Sequence, residues 1–125
     1  MDEFLIIDTD VLIDYLRGVT EAVEYCKSLT SPIGVSVITV AELYTGTRDR
    51  HEETQLDQLI DLMTVFAITH PIAKQGGLFR KQYIKSHAIE IPDALIAATV
   101  KIHGGRLVTL NKKHYPMLPD IMVPY

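Results

Sequence analysis

Short apolar runs alternate with helix-length segments along the whole chain, and this alternation limits the fold more than any other feature. The apolar runs, rich in β-branched residues, are EFLIID, PIGVSVI, VFAI, RLVTL and IMV. Each is short enough for a buried strand, and the segments between them have helical spacing. Strands that alternate with helices favour a parallel sheet covered on both faces. The expected fold class is therefore α/β: a three-layer α/β/α sandwich around a central, mostly parallel sheet.

Length and composition favour one compact domain over residues 1–125, since the 125 residues are 47% hydrophobic and 22% charged. The acidic opening MDEFLII has too brief an apolar run for a secretory signal or a membrane span. The lone Cys26 has no partner for an internal disulfide, which fits a cytoplasmic protein. The net charge of -4 argues against a general DNA coat.

Capping residues predict where several helices begin and end. A helix should end at Gly18, the next should begin with a capping Thr20, and a later one should open at Thr39 after the PIGVSVI strand. In PDALIAATVKIHGG, Pro92 suits the first helical position and Gly104 the exit. One amphipathic helix carries an apolar stripe that either faces the core or forms a contact surface: Leu56, Leu59, Ile60 and Met63.

Two acids, Asp8 and Asp10, lie where the first strand should end and a helix should begin. Asp10 could simply cap that helix, because Asp accepts readily from the first free backbone N–H groups. Asp8 is harder to explain as a cap, since it directly follows apolar residues at the carboxyl end of a strand. Open α/β sheets bind their ligands at that edge.

Glu42 and Asp93 also have ordinary structural explanations. The segment from Thr39 to Glu42 matches a capping box, in which the Glu reaches back to the cap. Asp93 could favour the positive end of a helix dipole. Yet Asp8, Glu42 and Asp93 all lie near helix starts, which gather at one edge of a parallel sheet. Carboxylates brought together repel one another, and Mg²⁺ or Mn²⁺ would relieve that repulsion.

Four blocks of the sequence, DTDVLID, VAELYTG, PDALIAAT and LVTLNKKHY, resemble those of a PIN domain in order and approximate spacing. More narrowly, they resemble the VapC-type toxins of toxin–antitoxin pairs, over essentially the whole chain. The resemblance implies an endoribonuclease dependent on Mg²⁺ or Mn²⁺. It also implies that Asp8, Glu42 and Asp93 are the catalytic, metal-binding acids.

The fourth acidic position of the family is where the chain departs from the resemblance. Many relatives carry an acid in this loop, but here the loop reads NKKHY, with Asn111 retained and His114 in the place of the acid. The expected second metal site is therefore weakened, and Asp10 could compensate as a further ligand. Thr109 and Asn111 could hydrogen-bond a metal-bound water or an acid. Thr109 could equally be an ordinary strand residue, and His114 either a phosphate contact or a packing residue.

Basic residues near these acids are the candidates for RNA binding. Lys112 and Lys113 flank the loop of the fourth position and are preferred as phosphate contacts, with Arg48 as a further candidate. The resemblance also implies a cognate VapB-type antitoxin that covers the acidic pocket, and a homodimer.

Two alternatives remain open from the sequence. The DTDVL start could belong to an aspartate-dependent phosphotransferase of the haloacid dehalogenase kind, although that class needs a later acid pair and a longer chain. The non-acidic fourth position could instead indicate a catalytically impaired interaction module with the PIN fold.

Overall fold

The computed structural model describes residues 4–125. Its elements in chain order are β1 (Leu5–Ile7), α1 (Thr9–Leu16), α2 (Thr20–Ser28), β2 (Ile33–Ser36), α3 (Val37–Thr45), α4 (Arg50–Asp61), β3 (Thr64–Phe66), α5 (His70–His87), α6 (Ile91–His103), β4 (Arg106–Val108), a 3₁₀ turn (Lys112–His114) and β5 (Ile121–Met122). No helix within residues 4–125 is long and apolar enough to cross a membrane.

The five strands form one sheet in the order β3-β2-β1-β4-β5, and every neighbouring pair is parallel. In the centre, Ile6 pairs with Gly34 on one side and with Leu107 on the other. The chain runs outward from β1 through β2 to β3, then returns through α5 and α6 to β4 on the other side of β1. Successive strands are therefore added on one side of β1 first and on its other side afterwards, which makes the gap between β1 and β4 a topological switch point. Such sheets bind ligands at the carboxyl ends of the two strands that flank this point.

Two hydrophobic cores lie on opposite faces of the sheet, because side chains alternate along each strand. Ile6 and Leu107 pack in the core formed with α5 and α6. Leu5, Ile7 and Val108 pack in the other core, which includes residues of α1 and α4. The predicted three-layer α/β/α sandwich is confirmed.

The predicted boundary between the second strand and its helix is wrong. The strand ends at Ser36, whose hydroxyl accepts from the backbone N–H of Ile38 at 3.1 Å and so caps α3. Val37 and Ile38 are therefore helical, although their β-branched side chains extended the predicted strand. Thr39 is a buried residue inside the helix rather than its cap, so the capping box from Thr39 to Glu42 does not form.

Smaller differences occur at other helix ends. Asp8, not Asp10, is the N-cap of α1, and α2 begins at Thr20 with no side-chain cap. Helix α6 begins at Ile91, which makes Pro92 its second residue. The predicted helix end at Gly104 is confirmed, since this residue has a φ of 73° that favours glycine.

The apolar stripe of α4 faces inward. Leu56 is buried, and Leu59, Ile60 and Met63 pack against the core on the α1 side of the sheet. Cys26 is a half-buried free thiol in α2, and burial raises its pKa.

Candidate active site

Asp8 lies at the carboxyl end of β1 and is 6% exposed. Its Oδ1 accepts from the backbone N–H of Thr9 at 2.8 Å. Its Oδ2 accepts from the hydroxyl of Thr109 at 2.8 Å and from that of Tyr115 at 2.9 Å. Thr109 directly follows β4, so both sides of the β1–β4 switch point contribute to holding this carboxylate.

Asp93 reaches the same place from the first turn of α6. The Tyr115 hydroxyl lies 3.4 Å from its Oδ1, so one phenol oxygen bridges the carboxylates of Asp8 and Asp93. Most residues of α6 after Asp93 are buried, including Ala94, Ile96 and Ala97. A helix packed on most of its surface cannot easily rotate or slide, so Asp93 is held rigidly opposite Asp8.

Glu42 joins the site less directly. It is exposed in α3, and its Oε1 accepts from the hydroxyl of Thr9 at 2.7 Å. The Thr9 hydroxyl also lies 3.0 Å from that of buried Thr39. Because Thr9 follows Asp8 and donates its backbone N–H to it, Glu42 is connected to Asp8 through a single residue.

His114 packs its imidazole against the outer oxygen of Asp93, with Nδ1 3.1 Å from Oδ2. The imidazole forms an ion pair with this carboxylate when the ring is protonated. The residue at the non-acidic fourth position therefore contacts an acid of the site.

Asp10 points toward the segment after β4. Its Oδ2 accepts from the backbone N–H of Leu110 and from the side-chain amide of Asn111, each at 3.0 Å. Its Oδ1 accepts from the backbone N–H of Val11 at 2.7 Å.

Burial and mutual repulsion change the pKa values of Asp10, Asp93 and Tyr115. Burial and the charge of Asp8 raise the pKa of Asp10 to about 6. The pKa of Asp93 is raised overall: burial, Asp8 and Glu42 raise it, and His114 and Tyr115 offset part of the rise. Burial and the neighbouring carboxylates also raise the pKa of the Tyr115 phenol, so it stays a neutral donor.

The donor set fits a divalent cation in part. As they stand, no three Asp, Glu, His or Cys side chains within residues 4–125 lie close enough together to hold one ion. Asp8 and Asp93 are brought together, whereas Glu42 is engaged by Thr9. Mg²⁺ keeps several waters and is commonly bound through one or two carboxylates. The Asp8–Asp93 pair fits such an ion, with Glu42 beside it.

The predicted RNA-binding residues differ in their surroundings. Lys112 and Lys113 are exposed in the 3₁₀ turn next to His114. Arg48 is also exposed, but its guanidinium is paired with Glu52, with Nη2 2.7 Å from Oε2. The two lysines are thus the better placed to meet a phosphate beside the acids.

Two residues of the site, Tyr115 and Thr9, were not singled out from the sequence. Tyr115 is 1% exposed, and a tyrosine buried this deeply usually needs a partner for its hydroxyl. A tyrosine directly after the polar run NKKH was the available signal. Thr9, between two acids, carried no such signal.

Acids that follow β1 and begin α6 meet at the switch point of an all-parallel sheet, which makes this edge the candidate active site. Residues 5–117 match the family model described as the PIN domain, and the chain belongs to the PIN-domain family.

Similar proteins cover almost the full length of the chain. Ribonuclease VapC10 of Mycobacterium tuberculosis is 36% identical, over 97% of this chain and 92% of the relative. Ribonuclease VapC19 of the same organism is 34% identical, over 96% of this chain and 98% of the relative. A solved toxin–antitoxin complex from Klebsiella pneumoniae contains a chain with a TM-score of 0.85 and 27% identity, over 97% of this chain and 98% of that one.

Proposed function

We propose that this protein is a metal-dependent endoribonuclease and the toxin component of a type II VapBC toxin–antitoxin pair. The observation that carries the proposal is the meeting of Asp8 and Asp93 at one buried hydroxyl, at the switch point of the sheet. Family membership and the names of the relatives, both ribonucleases, support it. Membership of the PIN-domain family argues against the haloacid dehalogenase alternative.

The reaction would be hydrolysis of an RNA phosphodiester, in which a water oxygen bonds to phosphorus and the bond to the leaving ribose oxygen breaks. We propose Asp8 and Asp93 as the holders of the divalent ion, either Mg²⁺ or Mn²⁺, with Glu42 beside them. When bound, such an ion lowers the pKa of a coordinated water and stabilises charge on the phosphate. Hydrolysis of this kind requires no nucleophilic side chain.

The other side chains orient these acids. Thr109 and Tyr115 donate to Asp8 and fix the plane of its carboxylate. His114 holds the outer oxygen of Asp93. Ligands that are locked before the ion and substrate arrive do not have to reorganise during the reaction.

The decisive experiment compares RNA cleavage by the wild type with Asp8→Asn and Asp93→Asn. Each substitution keeps the size of the side chain and removes a negative charge, so both should abolish Mg²⁺- or Mn²⁺-dependent cleavage. Asp14→Asn is the matched control, because Asp14 lies on α1 but contacts Tyr125 instead of the site. Growth arrest that persists in Asp93→Asn, with no cleavage by the wild type, would favour the non-enzymatic interaction module.

RNA would be held beside the acids by Lys112 and Lys113. Replacing both by alanine should weaken RNA binding and reduce the slope of log affinity against log salt by about 0.7 for each phosphate that is no longer neutralised. Lys27→Ala with Lys101→Ala is the control, because Lys27 lies in the last turn of α2 and Lys101 at the opposite end of α6 from Asp93. An unchanged slope in the first variant would remove the two lysines from the proposed interface.

The proposed antitoxin site is a groove between α1, α3 and α4 that continues from Glu42. Its floor includes Leu43 and Leu56, and its rim carries Arg17 and Glu52. An apolar floor with a charged rim suits an amphipathic helix, which here would cover the approach to Glu42. A VapB-type antitoxin in this groove, a homodimer and a cytoplasmic location complete the proposal. Size-exclusion chromatography with light scattering would test the homodimer.

A further inference from the structure

Asp10 is a further carboxylate close to Asp8, whose charge raises the pKa of Asp10. Two neighbouring carboxylates repel each other, so the hydrogen bonds that Asp10 accepts must offset this cost. We propose that Asp10 is a positioning residue, not a metal ligand: it anchors the 109–115 loop (residues 109–115, from the end of β4 through the 3₁₀ turn), which carries three donors to Asp8 and Asp93. The part of this inference that concerns metal and RNA rests on the proposed function. The anchoring itself does not.

The hydrogen bonds of Asp10 commit one of its oxygens to the 109–115 loop. Its Oδ1 accepts from the N–H of Val11 at 2.7 Å. Its Oδ2 accepts from the N–H of Leu110 and the side-chain amide of Asn111, both at 3.0 Å, with the Thr109 hydroxyl at 3.3 Å. A carboxylate offers about four lone-pair sites. Leu110 and Asn111 fill the two sites on Oδ2, and the single proton of the Thr109 hydroxyl goes to Asp8 at the shorter distance. An ion bound at Oδ2 of Asp10 would therefore have to displace the loop.

The bonds from Asp10 join parts of the chain that are far apart in sequence. Asp10 and Leu110 are 100 positions apart. Residues 111–114 are exposed, and the 3₁₀ turn has no side-chain cap. Its backbone bonds are local, from His114 to Asn111 and from Tyr115 to Lys112. Leu110 and Asn111, which lead into the exposed turn, are therefore fixed to the body of the protein through Asp10.

What the loop carries explains why its position matters. The backbone N–H of Asn111 donates to the Thr109 hydroxyl at 3.0 Å, which leaves that hydroxyl to donate its own proton to Asp8 at 2.8 Å. Further along the loop, His114 reaches Asp93 and Tyr115 reaches Asp8. A displacement of the loop would misalign all three donors at once.

A carboxylate suits this anchor better than an amide of the same size. In Asp10→Asn, an NH₂ group replaces one of two oxygens that both accept from N–H donors. In either orientation it would face at least one of these donors, so at least one of the present hydrogen bonds would be lost. Loss of a hydrogen bond to a charged group should raise amide hydrogen exchange at Leu110 by at least about tenfold. The same variant should lower kcat for RNA cleavage.

Metal binding separates a positioning residue from a ligand. The Mn²⁺ dissociation constant of Asp10→Asn should stay within about fivefold of the wild type, because the variant loses a neighbouring charge and the loop anchor but no ligand. Asp8→Asn should raise it by about tenfold or more. Isothermal titration with Mn²⁺ and hydrogen exchange by mass spectrometry supply both readouts on the full chain, with Asp14→Asn as the control that changes neither.

The results that would overturn the proposal are specific. If Asp10→Asn binds Mn²⁺ as weakly as Asp8→Asn, Asp10 is a ligand. If Leu110 keeps its protection in both Asp10→Asn and Asp10→Ala, Asp10 is not an anchor. Should Asp10→Asn fold poorly, Asn111→Ala cuts the same tie from the exposed loop and must also speed exchange at Leu110. A wild type with no metal-dependent cleavage would refute the proposed function, while the exchange result would still decide the anchoring.

Discussion

The buried hydroxyl of Tyr115 provides a direct test of how the two central acids are held. Tyr115→Phe removes one oxygen atom and keeps the ring, which is 1% exposed. The bond removed is the one to Asp8 Oδ2 at 2.9 Å. A hydrogen bond to a charged group contributes about 1.5–3 kcal/mol. Asp8 keeps its bonds from Thr9 and Thr109, so we expect a loss of unfolding free energy of about 1.5–2 kcal/mol, near the lower end.

Urea unfolding in EDTA measures this loss without a contribution from bound metal, and the midpoint should fall by about 1 M. Tyr125→Phe is the matched control. It also removes a phenol that donates to a carboxylate, that of Asp14 at 3.0 Å, but this bond is exposed. Water replaces an exposed donor, so the control should lose no more than about 0.5 kcal/mol.

Equal stability of Tyr115→Phe and Tyr125→Phe would refute the reasoning, since it would mean that the Tyr115 hydroxyl is not held by a charged Asp8. Cleavage gives a second measurement. Loss of a group that orients a metal ligand typically reduces activity by about tenfold or more, so Tyr115→Phe should cleave RNA more slowly with its KM little changed.

Two further predictions concern stability. Burial and Asp8 raise the pKa of Asp10 from 3.8 to about 6, so the folded state favours its protonated form. The stabilisation is present below about pH 4 and is lost as the pH rises through about 6, and after discounting for solvent screening it amounts to about 1–2 kcal/mol. Urea midpoints of the metal-free protein from pH 4 to 7 measure this loss, and the pH dependence should be weaker in Asp10→Asn. A Cβ on Gly76 would lie 2.7 Å from Leu95 Cδ2, whereas one on Gly77 would meet nothing within 4 Å. In the same assay, Gly76→Ala should therefore destabilise the protein by about 1–2 kcal/mol, and Gly77→Ala should stabilise it by up to about 1 kcal/mol. A Gly76→Ala variant more stable than Gly77→Ala would contradict the close packing of α5 on α6.

The fold could be predicted from the sequence because the alternation of apolar runs and helical segments recurs along the whole chain. Local boundaries could not. Val37 and Ile38 have the β-branched side chains of a strand, and only the cap at Ser36 makes them helical. The mistaken capping box followed from the same error. With Thr39 taken as the cap, Glu42 had the position of the capping-box acid, but the cap is Ser36 and Glu42 has no such role.

The meeting of Asp8 and Asp93 could be predicted because one follows a strand and the other lies in the first turn of a helix, and parallel topology collects these positions at one edge. Their partners depend on the path of the 109–115 loop, which no periodicity describes. Tyr115 lies 107 positions from the carboxylate that it contacts. A bond of this kind is set by the conformation of the intervening residues, so the residue type suggests a partner without identifying it.

The hydrogen bonds around the acids also limit which ion the site can accept. Asp8 already receives three bonds, one on Oδ1 and two on Oδ2, and His114 lies against one oxygen of Asp93. With about four lone-pair sites per carboxylate, Asp8 has room for one further contact and cannot bind an ion through both oxygens without losing a donor. Ca²⁺ prefers six to eight oxygen ligands and often bidentate carboxylates, whereas Mg²⁺ keeps several waters and needs few protein ligands. In the proposed site, the donors that hold the acids in place would therefore favour Mg²⁺ over Ca²⁺, in part through the loop that we propose Asp10 anchors.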